Sequence, residues 1–390
     1  MEKIIKLAEA ESCVGCSVCA DVCPRGCISM QKNKEGFLYP LVDNEKCIVC
    51  GRCTSACPAL NEAPKNSVKR LYAAWMNDSE KRKASTSGGA FQGLAERVLD
   101  RGGVVFGAAF DGDFRLVHTQ CENMEDLRAL LGSKYLQSDT QGVYKAVDTV
   151  AKSGRTVLFS GTPCQCDALV HFYSSMNKSV PDNVLICEIM CHGVSSPGVF
   201  EDYVAYIEAK KKKKIVSYNF RYKELRGWSS LCECITYSDG KKDAHRAKYD
   251  AWHCWFGAHL SVRESCYSCN YRDTARVADI TLGDFWSIGR AMPELETRDG
   301  VSAIFVNTEK GQKYLDVCAG LLIVKEIDVS RLESLFNVPI RKGTVTIPES
   351  RTEFFNIYYL SGVKGIIKHF PPLNWFTAIL AKVKWMMLKK

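Results

Sequence analysis

The sequence lacks the long apolar runs that mark membrane spans and secretion signals. No uninterrupted apolar stretch reaches about 18 residues, so a spanning helix is not expected. The start, MEKIIKLAEAESC, contains no apolar run of signal-peptide length. Low-complexity segments are also absent, and the only internal repeat is a pair of cysteine motifs. These absences predict a cytoplasmic protein.

Length and charge narrow the class further. At 390 residues the chain is long enough for two or three domains, and 46% apolar and 25% charged residues are ordinary for a globular protein. The net charge is +8, but the lysines are scattered except at residues 210–214 and at the C-terminus. We interpret residues 210–214 as a solvated helix end and expect no nucleic-acid partner. The positive balance favours an acidic redox partner.

The abundant residue is cysteine, with 20 in the chain. A secreted disulfide protein is normally short and carries a signal peptide. Twenty thiols in a long chain without such a signal indicate metal ligands in a reducing compartment.

Two cysteine motifs lie within the first 60 residues. Each follows C-x2-C-x2-C-x3-C-P, which is the bacterial two-cluster signature. Three cysteines at this spacing bind three corners of one [4Fe–4S] cluster, and the fourth reaches the other cluster. The predicted ligand sets are therefore Cys13, Cys16, Cys19 and Cys57 for one cluster, and Cys47, Cys50, Cys53 and Cys23 for the other. The alternative, a pair of zinc knuckles, needs neither eight cysteines nor the prolines.

The remaining cysteines are divided into candidates and core residues. Cys27 follows the first Cys-Pro turn, where we interpret it as packing. Cys164 and Cys191 each follow an apolar strand, and Cys266 and Cys269 form R-x2-C-x2-C. Four thiols from three segments are enough for a third [4Fe–4S] cluster. A redox-active pair or a zinc site is the alternative.

The rest of the chain alternates strand-like and helix-like segments, which favours an α/β architecture. The predicted fold is thus an α+β ferredoxin-like two-cluster domain followed by an α/β domain with a mixed sheet. We divide the chain into a ferredoxin domain (1–60), a linker (61–70), two α/β regions (71–150 and 151–345) and a C-terminal tail (346–390).

A glycine turn before a predicted helix is a candidate phosphate site. It comprises Ser85, Thr86, Ser87, Gly88 and Gly89. Glycines permit close backbone approach, and the free N–H groups at a helix start attract phosphate. Many helices open with Ser-Gly, so the turn alone is weak evidence. The segment GSKYLQS adds Lys134 as a cation and several hydroxyl groups.

Seven segments in order resemble a known family. They are GSKYLQS, LFSGTPCQ, CHGVSSPGVF, NFRYKELRGW, RESCYSCNYR, ADITLGDFW and DGVSAIFVNTEKG. With the two cysteine motifs, the chain resembles the family of coenzyme F420 hydrogenase/dehydrogenase beta subunits, in the form with an N-terminal two-cluster ferredoxin domain. The resemblance covers about residues 1–330. Two departures are STSGG, where the family usually has SSSGG, and Ser287, where glycine is common.

The resemblance implies cofactors and their contacts. It implies a third cluster bound at Cys164, Cys191, Cys266 and Cys269, with FAD next to it. It implies flavin contacts from STSGG, from Lys134, Tyr135, Gln137 and Ser138, and from Gly161, Thr162, Pro163 and Gln165. His192 is implied to lie near the flavin or its cluster as a candidate catalytic residue; the alternative is a structural turn histidine.

A chain of clusters that ends at a flavin converts one-electron into two-electron transfer. We therefore expect an iron–sulfur flavoprotein oxidoreductase that exchanges electrons with a ferredoxin or a redox partner subunit and with an organic acceptor. That acceptor is unassigned: a deazaflavin of the F420 type is one candidate, and relatives associated with polysaccharide biosynthesis suggest others. The alternative is a non-catalytic electron-transfer subunit of a larger complex.

The C-terminal segment 373–390 has an apolar stripe at helical spacing. Trp375, Phe376, Ile379 and Leu380 begin that stripe, and the lysines lie largely off it. Lys382 and Lys384 would be costly inside a bilayer, so a helix lying flat on the inner face of the membrane is favoured over a spanning one. The alternative is a helix docked on the protein or on a partner.

Overall fold

The computed structural model describes residues 5–336 and 345–373. Within them, the strands are β1 (Ile28–Lys32), β2 (Leu38–Val42), β3 (Arg70–Met76), β4 (Val104–Phe110), β5 (Leu116–Cys121), β6 (Val157–Gly161), β7 (Val184–Ile189), β8 (Ile215–Asn219), β9 (Cys232–Tyr237), β10 (Lys242–Arg246), β11 (Ile280–Asp284), β12 (Ser302–Val306) and β13 (Leu322–Ile327). The helices are α1 (Val18–Asp21), α2 (Arg52–Ser55), α3 (Ser79–Ala84), α4 (Ala90–Asp100), α5 (Met124–Leu130), α6 (Val143–Lys152), α7 (Pro163–Ser174), α8 (Pro197–Lys211), α9 (Ala251–Gly257), α10 (Ile288–Ala291), α11 (Glu309–Asp316), α12 (Leu332–Leu335) and α13 (Ser350–His369).

The N-terminal module is a small cysteine-rich unit. Strands β1 and β2 form an antiparallel hairpin in which Ile28 pairs with Val42. The one-turn helices α1 and α2 each begin after a left-handed residue, Ser17 at φ 60° and Gly51 at φ 76°. Each helix contains the third cysteine of its motif. A ferredoxin-like module at the N-terminus is therefore present, as the sequence predicts.

The large domain is built on one eight-stranded mixed sheet with the order β13-β3-β12-β11-β7-β6-β4-β5. Strands β4, β6, β7 and β11 are parallel, and β3 runs in the same direction because β12 is antiparallel to both β11 and β3. Their carboxyl ends meet at one edge of the sheet, which is where α/β sheets build sites. The predicted regions 71–150 and 151–345 both contribute strands to this sheet.

Burial on both faces explains the uninterrupted apolar strands. In β6, Val157 and Phe159 pack with α6 and α7, whereas Leu158 packs on the opposite face with α4. Parallel strands that are covered on both faces have continuous runs of apolar residues in their sequences. The ferredoxin module adds to the first face, because Val18 and Ala20 join the same core cluster as Phe159.

The predicted linker and the described part of the predicted tail are both attached to the large domain. Asn66 and Arg276 exchange two backbone hydrogen bonds of 2.6 and 2.7 Å, so the 61–70 segment is bound to the large domain. Within the predicted tail (346–390), α13 belongs to the core, because it buries Phe354, Phe355 and Ile366 against α8 and α9. This helix is interrupted at Gly362, whose backbone is non-helical.

Among the described residues, the structure contains no helix that is long and apolar enough to cross a membrane. The predicted amphipathic helix of residues 373–390 lies, apart from Leu373, outside the described residues.

One ion pair ties α13 to the ferredoxin module. The Arg351 guanidinium binds both carboxylate oxygens of Glu35, at 2.9 and 2.7 Å, and it also donates to the Val262 carbonyl. Arg351 is buried and the Glu35 side chain is 24% exposed. Bidentate pairs of this kind fix geometry as well as contributing energy.

Replacing this arginine is expected to destabilise the junction. Arg351→Met leaves Glu35 partly buried without a partner, so we expect the free energy of unfolding to fall by about 2–4 kcal/mol. Trp255 reports on α13, because its indole donates to the Phe370 carbonyl at 2.8 Å, so urea titration followed by tryptophan fluorescence measures the change. The control is Arg115→Met, since the Arg115 side chain is 59% exposed and its pair with Asp111 is worth less than about 1 kcal/mol. Equal effects of the two variants would contradict the assignment.

Candidate metal centres

The outer cysteine set lies at the surface of the ferredoxin module. Cys23, Cys47, Cys50 and Cys53 line one cavity, together with Cys27. Cys50 is exposed, whereas Cys53 is buried. We call this group the outer site.

Cys27 is buried, but it does more than fill the core. Its Sγ lies 3.4 Å from the Cys23 Sγ, so a fifth thiol borders the outer site. The sequence analysis interpreted Cys27 as a packing residue and did not predict this contact, because spacing alone does not show the direction of a side chain.

The inner cysteine set comprises Cys13, Cys16, Cys19 and Cys57, and we call it the inner site. The first three are buried and Cys57 is half-buried. Burial together with the neighbouring Cys13 and Cys57 raises the pKa of Cys19 to about 12. Cys57 of the second motif therefore lies near Cys13 and Cys19 of the first. The ligand set inferred from spacing stays a prediction.

Four more cysteines meet at the edge of the large sheet. Cys164, Cys191, Cys266 and Cys269 line a cavity of about 290 Å³, which we call the third site. The ferredoxin module closes one side of this cavity with Ser12, Val14, Pro58 and Ala59, residues that flank the inner-site ligands Cys13 and Cys57. The loops that carry Cys13 and Cys57 therefore border the third site directly.

Local structure explains how the third site is presented. Thr162 and Gln165 form a capping box at the start of α7, and Pro163 occupies its first turn, which aims Cys164 outward from the end of β6. Cys191 follows the neighbouring strand β7. The pair Cys266 and Cys269 comes from a short 3-10 helix at Glu264–Cys266 and the turn after it.

The surroundings of the third site favour the protonated form of its thiols. Burial together with the neighbouring Cys269 raises the pKa of Cys164 to about 12 and that of Cys266 to about 11. The thiols are therefore protonated at neutral pH in the absence of metal, and metal binding must release protons. Four convergent thiols fit a [4Fe–4S] cluster, and the cavity has far more room than a single zinc ion needs.

His192 lines the same cavity, directly after Cys191. Its surroundings lower the pKa of the imidazole, chiefly through desolvation and also through the nearby Arg272 and His259. The neutral ring is a neighbour of the third site, and its candidate catalytic role stays a prediction.

The turn predicted to bind phosphate is at the same sheet edge. Thr86 Oγ1 accepts a hydrogen bond of 3.0 Å from the Ser133 amide, so the STSGG and GSKYLQS segments meet as the resemblance implies. The Ser85 and Ser87 hydroxyl groups, however, donate to carbonyls. A Cβ at Gly88 would lie 2.3 Å from the Ala74 carbonyl oxygen, so this glycine serves the packing between β3 and β12.

Lys134, the predicted phosphate cation, is engaged within the protein. Its ammonium donates three hydrogen bonds of 2.9 Å to the carbonyls of Ala108, Ala129 and Leu131. Burial lowers its pKa to about 7. In this arrangement Lys134 caps the C-terminal end of α5, and its donors are not available to a pyrophosphate.

Other predicted flavin contacts support the cluster loops or the sheet. Gln137 donates to the Val14 carbonyl at 2.8 Å, within the inner-site loop. The Gln165 side chain donates to Ser138 Oγ, and its oxygen accepts from the Thr162 amide. Tyr135 stacks on Phe256 with ring centroids 5.1 Å apart. Gly161 ends β6. The predicted FAD residues therefore converge, but their polar groups are engaged within the protein and do not form a phosphate cradle.

Several residues that hold the sites were not singled out from the sequence. Thr140 and Tyr144 both donate to the Cys16 carbonyl, at 2.7 and 3.0 Å. Asp21 accepts a hydrogen bond of 2.7 Å from the Gly142 amide at the start of α6, where a carboxylate is favoured. Arg263 donates to the Cys13 carbonyl at 2.7 Å. Of these residues, only Arg263 could have been found from the sequence, because it is the arginine of the R-x2-C-x2-C motif.

Fold and sites define a class of protein: an iron–sulfur electron-transfer protein with a two-cluster ferredoxin module fixed to an α/β domain. Comparison with known families agrees. Residues 12–61 and the overlapping residues 39–95 match two models that are each described as a 4Fe-4S dicluster domain. Residues 154–330 match the model that describes the C terminus of the coenzyme F420 hydrogenase/dehydrogenase beta subunit. The family resemblance read from the motifs is thus confirmed over residues 154–330.

Two individual proteins are similar over most of the chain. The F subunit of the F(420)H(2) dehydrogenase of Methanosarcina mazei (strain ATCC BAA-159 / DSM 3647 / Goe1 / Go1 / JCM 11833 / OCM 88) is 24% identical over 336 residues, which cover 81% of this chain and 84% of that protein. A chain of the F420-reducing [NiFe] hydrogenase complex from Methanosarcina barkeri is 18% identical, with a TM-score of 0.47 over 78% of this chain and 97% of that one.

Removing two thiols of the third site is expected to remove one cluster. Three sets of four cysteines predict about twelve irons and twelve sulfides per chain after anaerobic reconstitution. The double variant Cys266→Ser/Cys269→Ser should lose about four irons and keep the other eight, measured by iron and acid-labile sulfide assays.

Cys254→Ser is the matched control, because this half-buried thiol lies on α9 and contacts the Lys248 carbonyl instead of the cavity. It should keep all the iron. Unchanged iron in the double variant, or one zinc per wild-type chain in place of four irons, would overturn the third-cluster assignment.

Proposed function

We propose that this chain is an iron–sulfur electron-transfer subunit that relays single electrons through three [4Fe–4S] clusters. The observation that carries the proposal is the cavity of the third site. Its thiols share one space of about 290 Å³ with residues that flank inner-site ligands, among them Val14 and Pro58. Adjacent clusters held on a rigid frame are what electron transfer requires.

Exposure supports an order for the relay. Cys50 and its neighbour Ile48, which is 59% exposed, place the outer site at the surface of the module. The inner-site cysteines Cys13, Cys16 and Cys19 are buried between the module and the large domain. Electrons therefore pass from a partner at the outer site to the inner site and then to the third site, or in reverse.

A redox partner follows from this order. The relative from Methanosarcina mazei is named as a subunit of a dehydrogenase, which favours a subunit role over a free-standing enzyme. We propose that a ferredoxin or a partner subunit docks at the outer site. The electron acceptor or donor beyond the third site belongs to the partner complex.

Interrupting the inner site tests the relay. Cys16→Ala removes a buried inner-site ligand, so reduced ferredoxin should still reduce the outer cluster at the wild-type rate. Reduction of the third cluster should slow by at least tenfold, because the bridging cluster is damaged. Stopped-flow absorbance under anaerobic conditions, with freeze-quench EPR to distinguish the clusters, measures both rates.

Cys254→Ser is again the control and should match wild type in both rates. Equal slowing of the outer and third clusters by Cys16→Ala would mean that the module is damaged as a whole. An unchanged third-cluster rate would show that electrons do not pass through the inner site.

A flavin oxidoreductase is the second candidate. The observation that favours it is that the three segments implied to contact FAD meet at the sheet edge that also carries Cys164 and Cys191, with Thr86 bonded to Ser133. When bound, FAD would supply two-electron chemistry to the one-electron relay.

This candidate predicts about one FAD per chain in protein purified anaerobically, released by denaturation and quantified by chromatography. Its reduction by ferredoxin should be lost in Cys266→Ser/Cys269→Ser while the flavin stays bound. Protein that contains all three clusters and binds no FAD when the flavin is added would leave the relay function standing and exclude the flavoenzyme.

A further inference from the structure

Arg263 is a completely buried cation at the junction between the inner and third sites. It is 0% exposed, and its backbone lies three residues before Cys266. Nε donates to the Cys13 carbonyl at 2.7 Å, and Nη1 donates to Gln137 Oε1 at 2.9 Å. The guanidinium therefore contacts the inner-site loop while its own chain segment carries the third site.

The charge of Arg263 has no carboxylate partner in the described residues. No Asp or Glu oxygen of residues 5–336 and 345–373 lies within 4.0 Å of it, and Nη2 has no hydrogen-bond acceptor there. The partners that do exist are neutral carbonyls and the rings of Phe37 and Tyr39 at 5.3 and 4.1 Å. A buried charge without a counter-charge is costly, so the fold needs an anion here.

Clusters ligated by four thiolates are the anions that this environment would receive. Gly15, at φ 64°, lies so close that a Cβ there would be 2.7 Å from Arg263 Nη1, which places the cation directly on the loop between Cys13 and Cys16. On the other side, the Cys266 amide donates a hydrogen bond of 3.0 Å to the Arg263 carbonyl, so the turn that carries this third-site thiol begins at Arg263.

We propose that Arg263 is the shared counter-charge of the inner and third clusters and holds the reduction potentials of both at higher values. This inference rests on the proposed relay function. Reduction adds one negative charge to a cluster, and a fixed nearby cation favours that state. The outer cluster, bound on the far part of the module, receives little of this effect and serves as an internal reference.

The test separates charge from hydrogen bonding. Arg263→Gln removes the charge and keeps an amide donor, whereas Arg263→Lys keeps the charge and loses the planar fork. The measurement is an EPR-monitored redox titration of the reconstituted protein. At a fixed potential, the reduced-to-oxidised ratio of the inner and third clusters should be at least tenfold lower in Arg263→Gln than in wild type. For a one-electron couple this is a shift of about 59 mV. The potentials of Arg263→Lys should stay close to those of wild type, and the potential of the outer cluster should not change in either variant.

A second variant keeps the guanidinium in place. Gln137→Glu puts a carboxylate against Nη1, so it should lower the same two potentials even if Arg263→Gln does not fold. Three results would overturn the inference. They are equal potential shifts in Arg263→Lys and Arg263→Gln, equal potential shifts in all three clusters, or no potential shift in Gln137→Glu. Iron content distinguishes a failure of the relay from a failure of the role of Arg263. Wild-type protein with fewer than three clusters contradicts the relay. Three clusters whose potentials do not move in the variants contradict only the role of Arg263.

Discussion

The structure depends on how the inner-site loop satisfies its backbone carbonyls against the large domain. Cluster loops leave carbonyls without partners in their own module, and buried carbonyls must be paired. Here the Cys16 carbonyl is bound by Thr140 and Tyr144, and the Cys13 carbonyl by Arg263. All three donors come from the large domain. The ferredoxin module is therefore docked by the same atoms that position its inner ligands.

This constraint has a functional consequence. A module tethered by a flexible linker would sample many distances to the third site, and transfer between the sites would wait for the right one. The hydrogen bonds to Cys13 and Cys16, together with the Arg351–Glu35 pair, fix one arrangement. The bridge between Asn66 and Arg276 fixes the connection as well. The two modules are thus held in one arrangement, as the proposed relay requires.

The sequence predicted what depends on local pattern. The cysteine spacing of the two motifs, the strands that end at Cys164 and Cys191, and the family resemblance all follow from short segments. The chain path that brings Cys57 to Cys13 follows from the known chemistry of the motif. The strand order, in which β3 and β12 lie side by side, depends on long-range pairing that no local pattern contains.

Side-chain roles were the least predictable part. The sequence segment around Lys134 predicts a phosphate ligand. In the structure Lys134 lies beside the end of α5, where three carbonyls accept its hydrogen bonds. Gln137 reads as a flavin contact and instead bonds the Val14 carbonyl. The aromatic residues Phe354 and Phe355 lie in the predicted C-terminal tail, yet they pack into the core beside Trp255. In each case the deciding partner is distant in sequence.

In the proposed relay the third cluster is the immediate neighbour of the inner one. EPR of the fully reduced protein tests this arrangement directly, because the spins of two adjacent reduced clusters broaden each other's signals. We expect the inner-cluster signal to be broadened in wild type and to sharpen in Cys266→Ser/Cys269→Ser. An inner-cluster signal that is identical in the two proteins would contradict it.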